Sequence, residues 1–189
     1  SYEKNEFEKH IPAPLFRRRF TLSRRQSAEV TVCGLGFYEL YINGEKITKG
    51  RLAPYISNPD DVVYYDKYDL TDYIRAGENV IGVCLGNGLL NNPGGKTWDF
   101  DKAAFRSVPK LAIHFSSDEV RFEADEKFKV FPSPITFDDY RCGEFYDARR
   151  EIDGWSLPGF NDSDWKAPLK AEAPKGIRRY CTAEPIREF

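Results

Sequence analysis

The sequence has few of the residues that most often bind metals or carry catalysis. Its 189 residues include no methionine, two histidines and four cysteines. His10 and His114 are far apart, and the cysteines form no Cys-x-x-Cys pair. This pattern argues against a zinc site and against a Ser-His-Asp or Cys-His catalytic arrangement. No glycine-rich segment has the spacing of a phosphate-binding loop. We therefore predict no catalytic residue, no metal and no cofactor in this chain.

Charge imbalance and long apolar runs are also absent. The chain has 28 basic and 30 acidic residues, a formal net charge of −2, so no basic surface for nucleic acid or an anionic membrane is expected. The longest apolar run, residues 79–90, is interrupted by glycine and asparagine and is shorter than the ~20 residues of a membrane helix. We predict neither nucleic acid nor membrane as a partner.

Because the sequence starts at Ser1 without methionine and ends in PIREF, we expect a piece of a longer protein whose signal peptide, if any, is already removed.

The four cysteines allow two interpretations. Cys33 and Cys84 lie among apolar residues of predicted strands, which favours buried free thiols. Together with Cys142 and Cys181 they form an even set, so two disulfides with three alternative connectivities stay open.

Turn residues and alternating apolar residues predict an all-β chain. Asn43-Gly44 follows an apolar run and is the dipeptide best suited to a two-residue type I′ hairpin. No stretch of 12 residues has a convincing helical period, and the many short strands favour a β-sandwich of the jelly-roll type. Strands are predicted over residues 15–22, 28–33, 37–42, 62–69, 79–85, 110–115, 120–123 and 127–131.

Local patterns make further predictions about these strands. Residues 120–123 and 127–131 alternate in phase and predict a hairpin. The three arginines at 17, 18 and 19 predict an edge strand with a solvated basic face, against an anion site as the alternative. Thr71 is expected to cap one helical turn that Gly77 ends in a left-handed conformation. Trp155 and Trp165 are expected to be apolar anchors that hold a turn against a sheet.

Acidic residues concentrate between residues 138 and 164, including Asp138, Asp139, Asp162 and Asp164. Two carboxylates that face each other across a cleft are what glycoside hydrolysis requires. These acidic residues, however, are adjacent or lie in turn sequences, and Asp162-Ser163-Asp164-Trp165 predicts an Asx-type turn that presents Trp165 to the core. We therefore predict structural roles for them, with a self-sufficient glycosidase site or a structural calcium site as alternatives.

A long loop is predicted over residues 86–106, and such loops often carry function. Trp98 lies there among Asn91, Asn92, Asp99 and Asp101. An aromatic ring can stack on the C–H face of a sugar while short polar side chains bind its hydroxyls, so these five residues are the candidate ligand-binding set. The alternative is that Trp98 only anchors the loop.

We divide the chain into an irregular lead-in (1–14), a β-sandwich (15–150) and a C-terminal extension that packs on the sandwich (151–189).

Seven segments follow one another along the chain: FRRRFTL (16–22), CGLGFYELYINGEKI (33–47), LAPYISN (52–58), YDLTDYIRAGENVIGVCLGNG (68–88), WDFDKAAFRSVPKL (98–111), CGEFYDAR (142–149) and GWSLPGFNDSDW (154–165). In this order they resemble the N-terminal domain of bacterial α-L-rhamnosidases, from about residue 16 to the end. The resemblance implies a galactose-binding-like β-sandwich that is an accessory domain, with the catalytic (α/α)₆ barrel further along the same polypeptide.

The resemblance also implies removal of terminal α-L-rhamnose by the parent protein, an extracytoplasmic location and contact with a rhamnosylated glycan. No catalytic residue is placed on this chain. An autonomous carbohydrate-binding module centred on Trp98 is the alternative function. The chain departs from the family where an aromatic pair usually follows Gly-Asn-Gly, because it has Leu89-Leu90 there.

Overall fold

The computed structural model describes residues 9–94 and 99–187. In this part of the chain twelve β-strands form two five-stranded sheets and one hairpin. The first sheet has the order β4-β3-β6-β1-β9 and the second the order β12-β5-β2-β7-β8, while β10 and β11 pair with each other. The strands are β1 Pro14–Leu22, β2 Ala28–Leu35, β3 Tyr38–Ile42, β4 Glu45–Lys46, β5 Val62–Asp69, β6 Gly77–Leu85, β7 Lys110–Ser117, β8 Arg121–Glu123, β9 Lys129–Pro132, β10 Ile135–Asp139, β11 Gly143–Tyr146 and β12 Ile177–Tyr180.

The two large sheets pack face to face as a sandwich, which confirms the predicted fold class. Alternate residues of each strand point into the space between them, as the two-residue period of a strand requires. β6 is the exception, because it is the central strand of the first sheet and is buried on both faces. One cluster of side chains from both sheets fills the core, with Val30, Leu40, Ile81, Val83 and Phe115 all fully buried.

The Asn43-Gly44 turn is confirmed. Both residues have positive φ, 51° and 89°, and the flanking Ile42 and Glu45 are paired in the β3–β4 hairpin. Two positive φ angles are the requirement of a type I′ turn, which few residue pairs other than Asn-Gly meet without strain.

The hairpin predicted between residues 120–123 and 127–131 is wrong. β8 pairs with β7 in the second sheet, whereas β9 pairs with β1 in the first. The predicted alternation of apolar and polar residues is nevertheless confirmed, because Phe122 and Phe128 are both buried. They reach the same core from opposite sheets, so the turn between them crosses the edge of the sandwich.

The turn after β5 is built differently from the prediction for Thr71. The Asp69 carboxylate accepts the Thr71 backbone N–H at 2.9 Å and the Leu70 carbonyl accepts the N–H groups of Tyr73 and Ile74, so Asp69 supplies the cap. The Thr71 hydroxyl instead lies 3.4 Å from the Ala28 backbone N–H, which donates to it. Gly77 has φ 89° at the start of β6, in the left-handed conformation predicted for it.

Residues 151–166, here called the covering segment, lie on the outer face of the first sheet. Trp165 is buried at its end and Val130 pairs with Lys166. Further along, β12 joins the second sheet in parallel with β5. These contacts tie the C-terminal part to both sheets, and the domain division at residues 14 and 150 stays a prediction.

The described residues contain two 3₁₀ helices, Phe100–Lys102 and Ala148–Arg150. No helix among them is long and apolar enough to cross a membrane. All four cysteines lie in the described ranges and are free thiols, as favoured for Cys33 and Cys84. Burial raises the pKa of Cys33 to about 11 and that of Cys84 to about 12, which keeps both thiols protonated at neutral pH.

Candidate functional site

Two of the three arginines of β1 are buried, so the strand does not present the solvated basic face that was predicted. β1 lies between β6 and β9, Arg17 is fully buried and Arg18 is 8% exposed. Arg18 forms an ion pair with Asp125 and its guanidinium lies 3.9 Å from the centre of the Phe122 ring. The sequence looked like a basic edge because the acidic partners lie far along the chain.

Arg17 is a fully buried charged side chain on the outer face of the first sheet. It forms an ion pair with Asp162, and its Nε donates to the Trp155 carbonyl at 2.8 Å. Burial lowers the pKa of the guanidinium, and the Asp162 carboxylate opposes that shift. Asp162 also accepts from Arg19 at 3.1 Å. The turn predicted over residues 162–165 is present, with the Trp165 backbone N–H donating to the Asp162 carbonyl at 3.1 Å, and it buries Trp165 as expected. The Asx-type bond lies one residue earlier than predicted, because the Asn161 side chain accepts the Ser163 N–H at 3.1 Å.

Two further acidic residues of this region, Asp139 and Asp147, have structural partners of their own. Asp139 accepts the backbone N–H groups of Arg141 and Cys142, and Asp147 accepts that of Arg149. In the described residues no three His, Cys, Asp or Glu side chains converge as a group able to hold a metal ion. The absence of a cofactor, with a structural calcium site as the alternative, stays a prediction.

Asp138 holds the start of the long loop. Its carboxylate accepts the Asn87 backbone N–H at 2.7 Å and the Asn87 side-chain amide at 2.6 Å. Burial raises the pKa of this carboxyl, although the two donors of Asn87 oppose the shift. Asn91 donates in turn to the Asn87 side-chain oxygen at 2.6 Å. The network fixes the path of the loop across the end of the sandwich.

The structure separates the five residues predicted to bind sugar. Asn91 and Asn92 are buried, at 0% and 1% exposure, and Asn92 donates to Asp139 at 2.9 Å, so both serve the loop rather than its surface. Asp99 and Asp101 are exposed, and Asp99 is paired with Lys102 at 3.0 Å. Trp98 lies outside the described residues.

The leucines that follow the Gly-Asn-Gly turn have separate surroundings. Leu90 is buried, at 7% exposure, whereas Leu89 is partly exposed. Both line a small pocket of about 40 Å³ together with Tyr55 and Tyr64. A pocket of this volume is well below the ~300 Å³ at which small-molecule sites begin.

A larger open groove, about 770 Å³ in volume, lies on the outer face of the first sheet. We call it the Trp155 groove; its floor is formed by β3 and β6, and its walls by the β10–β11 hairpin and the covering segment. Trp155 lies with its ring centre 5.3 Å from that of Tyr41, at an angle of 68°. Its aromatic and acidic lining residues are Glu39, Tyr41, Glu45, Tyr146, Glu151, Asp153 and Trp155.

Two tyrosine–glutamate pairs define the polar side of the groove. The Tyr41 hydroxyl donates to Glu39 at 2.7 Å, and the Tyr146 hydroxyl donates to Glu151 at 2.8 Å. Burial opposes ionisation of Glu39, but the hydrogen bonds from Lys46 and Tyr41 outweigh it and lower the pKa of Glu39. Glu39 is therefore ionised and held in place by its partners.

Sequence reasoning did not identify this groove. The alternation of β3, with Leu40 and Ile42 buried and Glu39 and Tyr41 between them, places the latter two on the outer face and was readable. Residues 146–157 come from a different part of the chain, and no local pattern says which face they cover.

A family model and several relatives show the family of this chain. Residues 23–189 match the family model described as the alpha-L-rhamnosidase N-terminal domain. An alpha-L-rhamnosidase from Formosa agariphila is 34% identical over 196 residues, a match that covers 94% of this chain and 20% of that protein.

Solved structures give the same result. An alpha-L-rhamnosidase structure from Dictyoglumus thermophilum has a TM-score of 0.81 and 38% identity, covering 92% of this chain and 19% of that one. A Streptomyces avermitilis alpha-L-rhamnosidase complexed with L-rhamnose has a TM-score of 0.78 and 27% identity, covering 88% and 17%. The chain thus spans about a fifth of the length of these relatives.

Proposed function

The chain belongs to the family of α-L-rhamnosidase N-terminal domains, and we propose that it is a non-catalytic accessory domain of an α-L-rhamnosidase-like glycoside hydrolase. The activity of the longer protein would be the removal of terminal α-L-rhamnose from glycans or glycosides. The observation that carries the proposal is a difference in coverage. Alignments that include nearly all of this chain include only about a fifth of the length of the matched rhamnosidases. Most of each such enzyme is therefore outside the part that this chain resembles.

The state of the buried carboxylates supports a non-catalytic role. Glycoside hydrolysis needs two carboxyl groups that face the scissile bond, one of them free to donate a proton. Asp138 is engaged by both donors of Asn87, Asp139 by Asn92, and Asp162 by Arg17. These groups hold loops and strands together, so using them in catalysis would disrupt their structural contacts.

The partner in this proposal is the remainder of the same polypeptide, which would contain the catalytic domain. We also infer that the longer protein works outside the cytoplasm, in the periplasm or secreted, because the glycosides that such enzymes cleave lie there. Fractionation of cells that express the longer protein tests this location.

The test of the non-catalytic role compares the 189-residue chain with a longer polypeptide that continues beyond it. We expect no release of the aryl group from an aryl α-L-rhamnoside by the chain, and release by the longer polypeptide. Hydrolysis by the chain that is lost in Asp138→Asn, with the variant still folded by circular dichroism, would contradict the proposal. Asp99→Asn, an exposed change in the loop, is the matched control.

Sugar binding at the long loop stays a separate hypothesis. With Asn91 and Asn92 buried, its remaining residues are Asp99, Asp101 and Trp98. Loss of sugar binding in the double variant Asp99→Asn/Asp101→Asn would support an autonomous carbohydrate-binding module centred on this loop.

A further inference from the structure

We propose that the Trp155 groove binds a neutral sugar unit, with Trp155 as its stacking platform and the side chains of Glu151 and Asp153 as hydrogen-bond acceptors. The lining of the groove includes neither the described loop candidates Asn91, Asn92, Asp99 and Asp101 nor the leucines after the Gly-Asn-Gly turn. The choice of a sugar as the ligand rests on the proposed function; the choice of the groove rests on its geometry.

The size of the groove is suitable for a small ligand. Its volume of about 770 Å³ falls inside the range of ~300–1,000 Å³ that is typical of small-molecule sites. The small pocket beside Leu89, at about 40 Å³, does not. The groove is also open to solvent, so a terminal unit of a longer glycan can enter it while the rest of the glycan stays in solvent.

Trp155 is held rigidly from three sides. Trp165 lies behind it, with ring centres 6.4 Å apart and planes 19° apart. Tyr41 contacts it edge-on at 5.3 Å, and Gly82 of β6 lies below it without a side chain. The partly exposed ring therefore needs little ordering on binding, which lowers the entropic cost of stacking a sugar on it.

Tyr146 extends the aromatic surface on the opposite wall. It is 53% exposed, and its hydroxyl donates to Glu151 at 2.8 Å. Because an ionised carboxylate offers about four acceptor sites, Glu151 keeps capacity for sugar hydroxyl groups after this bond is made. The hydrogen bond also fixes the orientation of both side chains.

The charge of the groove selects against anionic sugars. Glu45, Glu151 and Asp153 are exposed acidic residues that line it. Glu39, which also lines the groove, forms ion pairs with Lys46 and Arg51. A uronic acid or sulfated sugar would meet net negative charge, whereas a neutral sugar with several hydroxyl donors meets acceptors.

The test is a titration of the 189-residue chain with methyl α-L-rhamnoside, followed by the indole N–H signal of Trp155 in ¹⁵N spectra. Variants Trp98→Phe and Trp165→Phe assign the three indole signals. We expect the Trp155 signal to shift to saturation with a dissociation constant of about 1 mM or weaker, as for a site with one stacked ring. The same titration with D-glucuronate should leave it unchanged.

Two exposed substitutions in the groove separate binding from folding. Tyr146→Ala and Glu151→Gln should each weaken the titration by about fivefold to tenfold, which corresponds to about 1–1.4 kcal/mol. Asp118→Asn, an exposed change in the turn between β7 and β8, is the matched control and should leave the titration unchanged. The loop variant Asp99→Asn/Asp101→Asn distinguishes the two candidate sites and should also leave the Trp155 shift unchanged. A Trp155 signal that does not move with the rhamnoside, or one whose shift is abolished by the loop variant alone, would overturn the proposal. Either result leaves the hydrolysis test of the proposed function unaffected.

Discussion

Arg17 illustrates how far single residues of this chain depend on distant partners. Its side chain is fully buried, and it pairs there with Asp162, which lies 145 positions further along the sequence. The Trp155 carbonyl, from the same covering segment, accepts its Nε–H at 2.8 Å. Breaking a buried pair leaves an uncompensated charge, which costs more than the pair itself contributes.

Removal of the Arg17 side-chain charge should therefore destabilise the fold strongly. We expect Arg17→Met to lower the free energy of unfolding by about 3–5 kcal/mol, because Asp162 stays buried without its main partner. Urea unfolding followed by circular dichroism measures it. The control is Arg19→Met, whose side chain is 49% exposed and shares Asp162, with an expected loss below about 1 kcal/mol. Equal losses in the two variants would show that the buried pair has no special role.

At the scale of elements, the first sheet has two faces with different coverings. The inner faces of β3 and β6 meet the core, while their outer faces meet Trp155 and its neighbours. Gly82 makes this possible, since a Cβ at this position would lie 2.8 Å from the Trp155 ring. The absence of a side chain on a central strand lets the indole approach the sheet.

A methyl group at residue 82 should push Trp155 away from β6. We expect Gly82→Ala to cost about 1–3 kcal/mol of stability, the usual range for overpacking, and to change the near-ultraviolet circular dichroism of the tryptophans. In a double-mutant cycle with Trp155→Leu the two costs should not add, because the smaller side chain makes room for the methyl group. Additive costs would mean that the close contact is not what limits residue 82.

At the scale of the whole molecule, the covering segment packs on the outer face of the first sheet. It supplies the buried Trp165 and the partner of Arg17. β12 instead extends the edge of the second sheet, and all four of its residues are exposed. The two parts of residues 151–187 thus differ in how much of the fold depends on them.

Two truncations distinguish these parts. A chain that ends at residue 150 should not fold, because Arg17 would lose Asp162 and the outer face would be left uncovered. A chain that ends at residue 170 keeps both contacts and loses the exposed edge strand β12, together with the Arg51–Ile186 bridge and the bond from Lys110 to the Glu172 carbonyl, so it should fold with reduced stability. Dispersion of ¹H–¹⁵N spectra checks both. Equal spectra from the two chains would place the domain boundary at residue 150, as the sequence division has it.

Much of this molecule follows from local sequence. The alternation of the strands, the Asn43-Gly44 turn and the left-handed Gly77 are decided within a few residues by backbone sterics and by the two-residue period of strands. The family can also be recognised from the sequence, because each segment that carries the resemblance is a short continuous stretch of the chain. Tertiary structure decided the rest: that residues 121–123 and 129–132 join opposite sheets, that Arg17 is buried, and that Asn91 and Asn92 support their loop. The Trp155 groove belongs to this second group, because its floor on β3 and its walls come from segments about 100 residues apart that only the packing of the covering segment on β3 and β6 brings together.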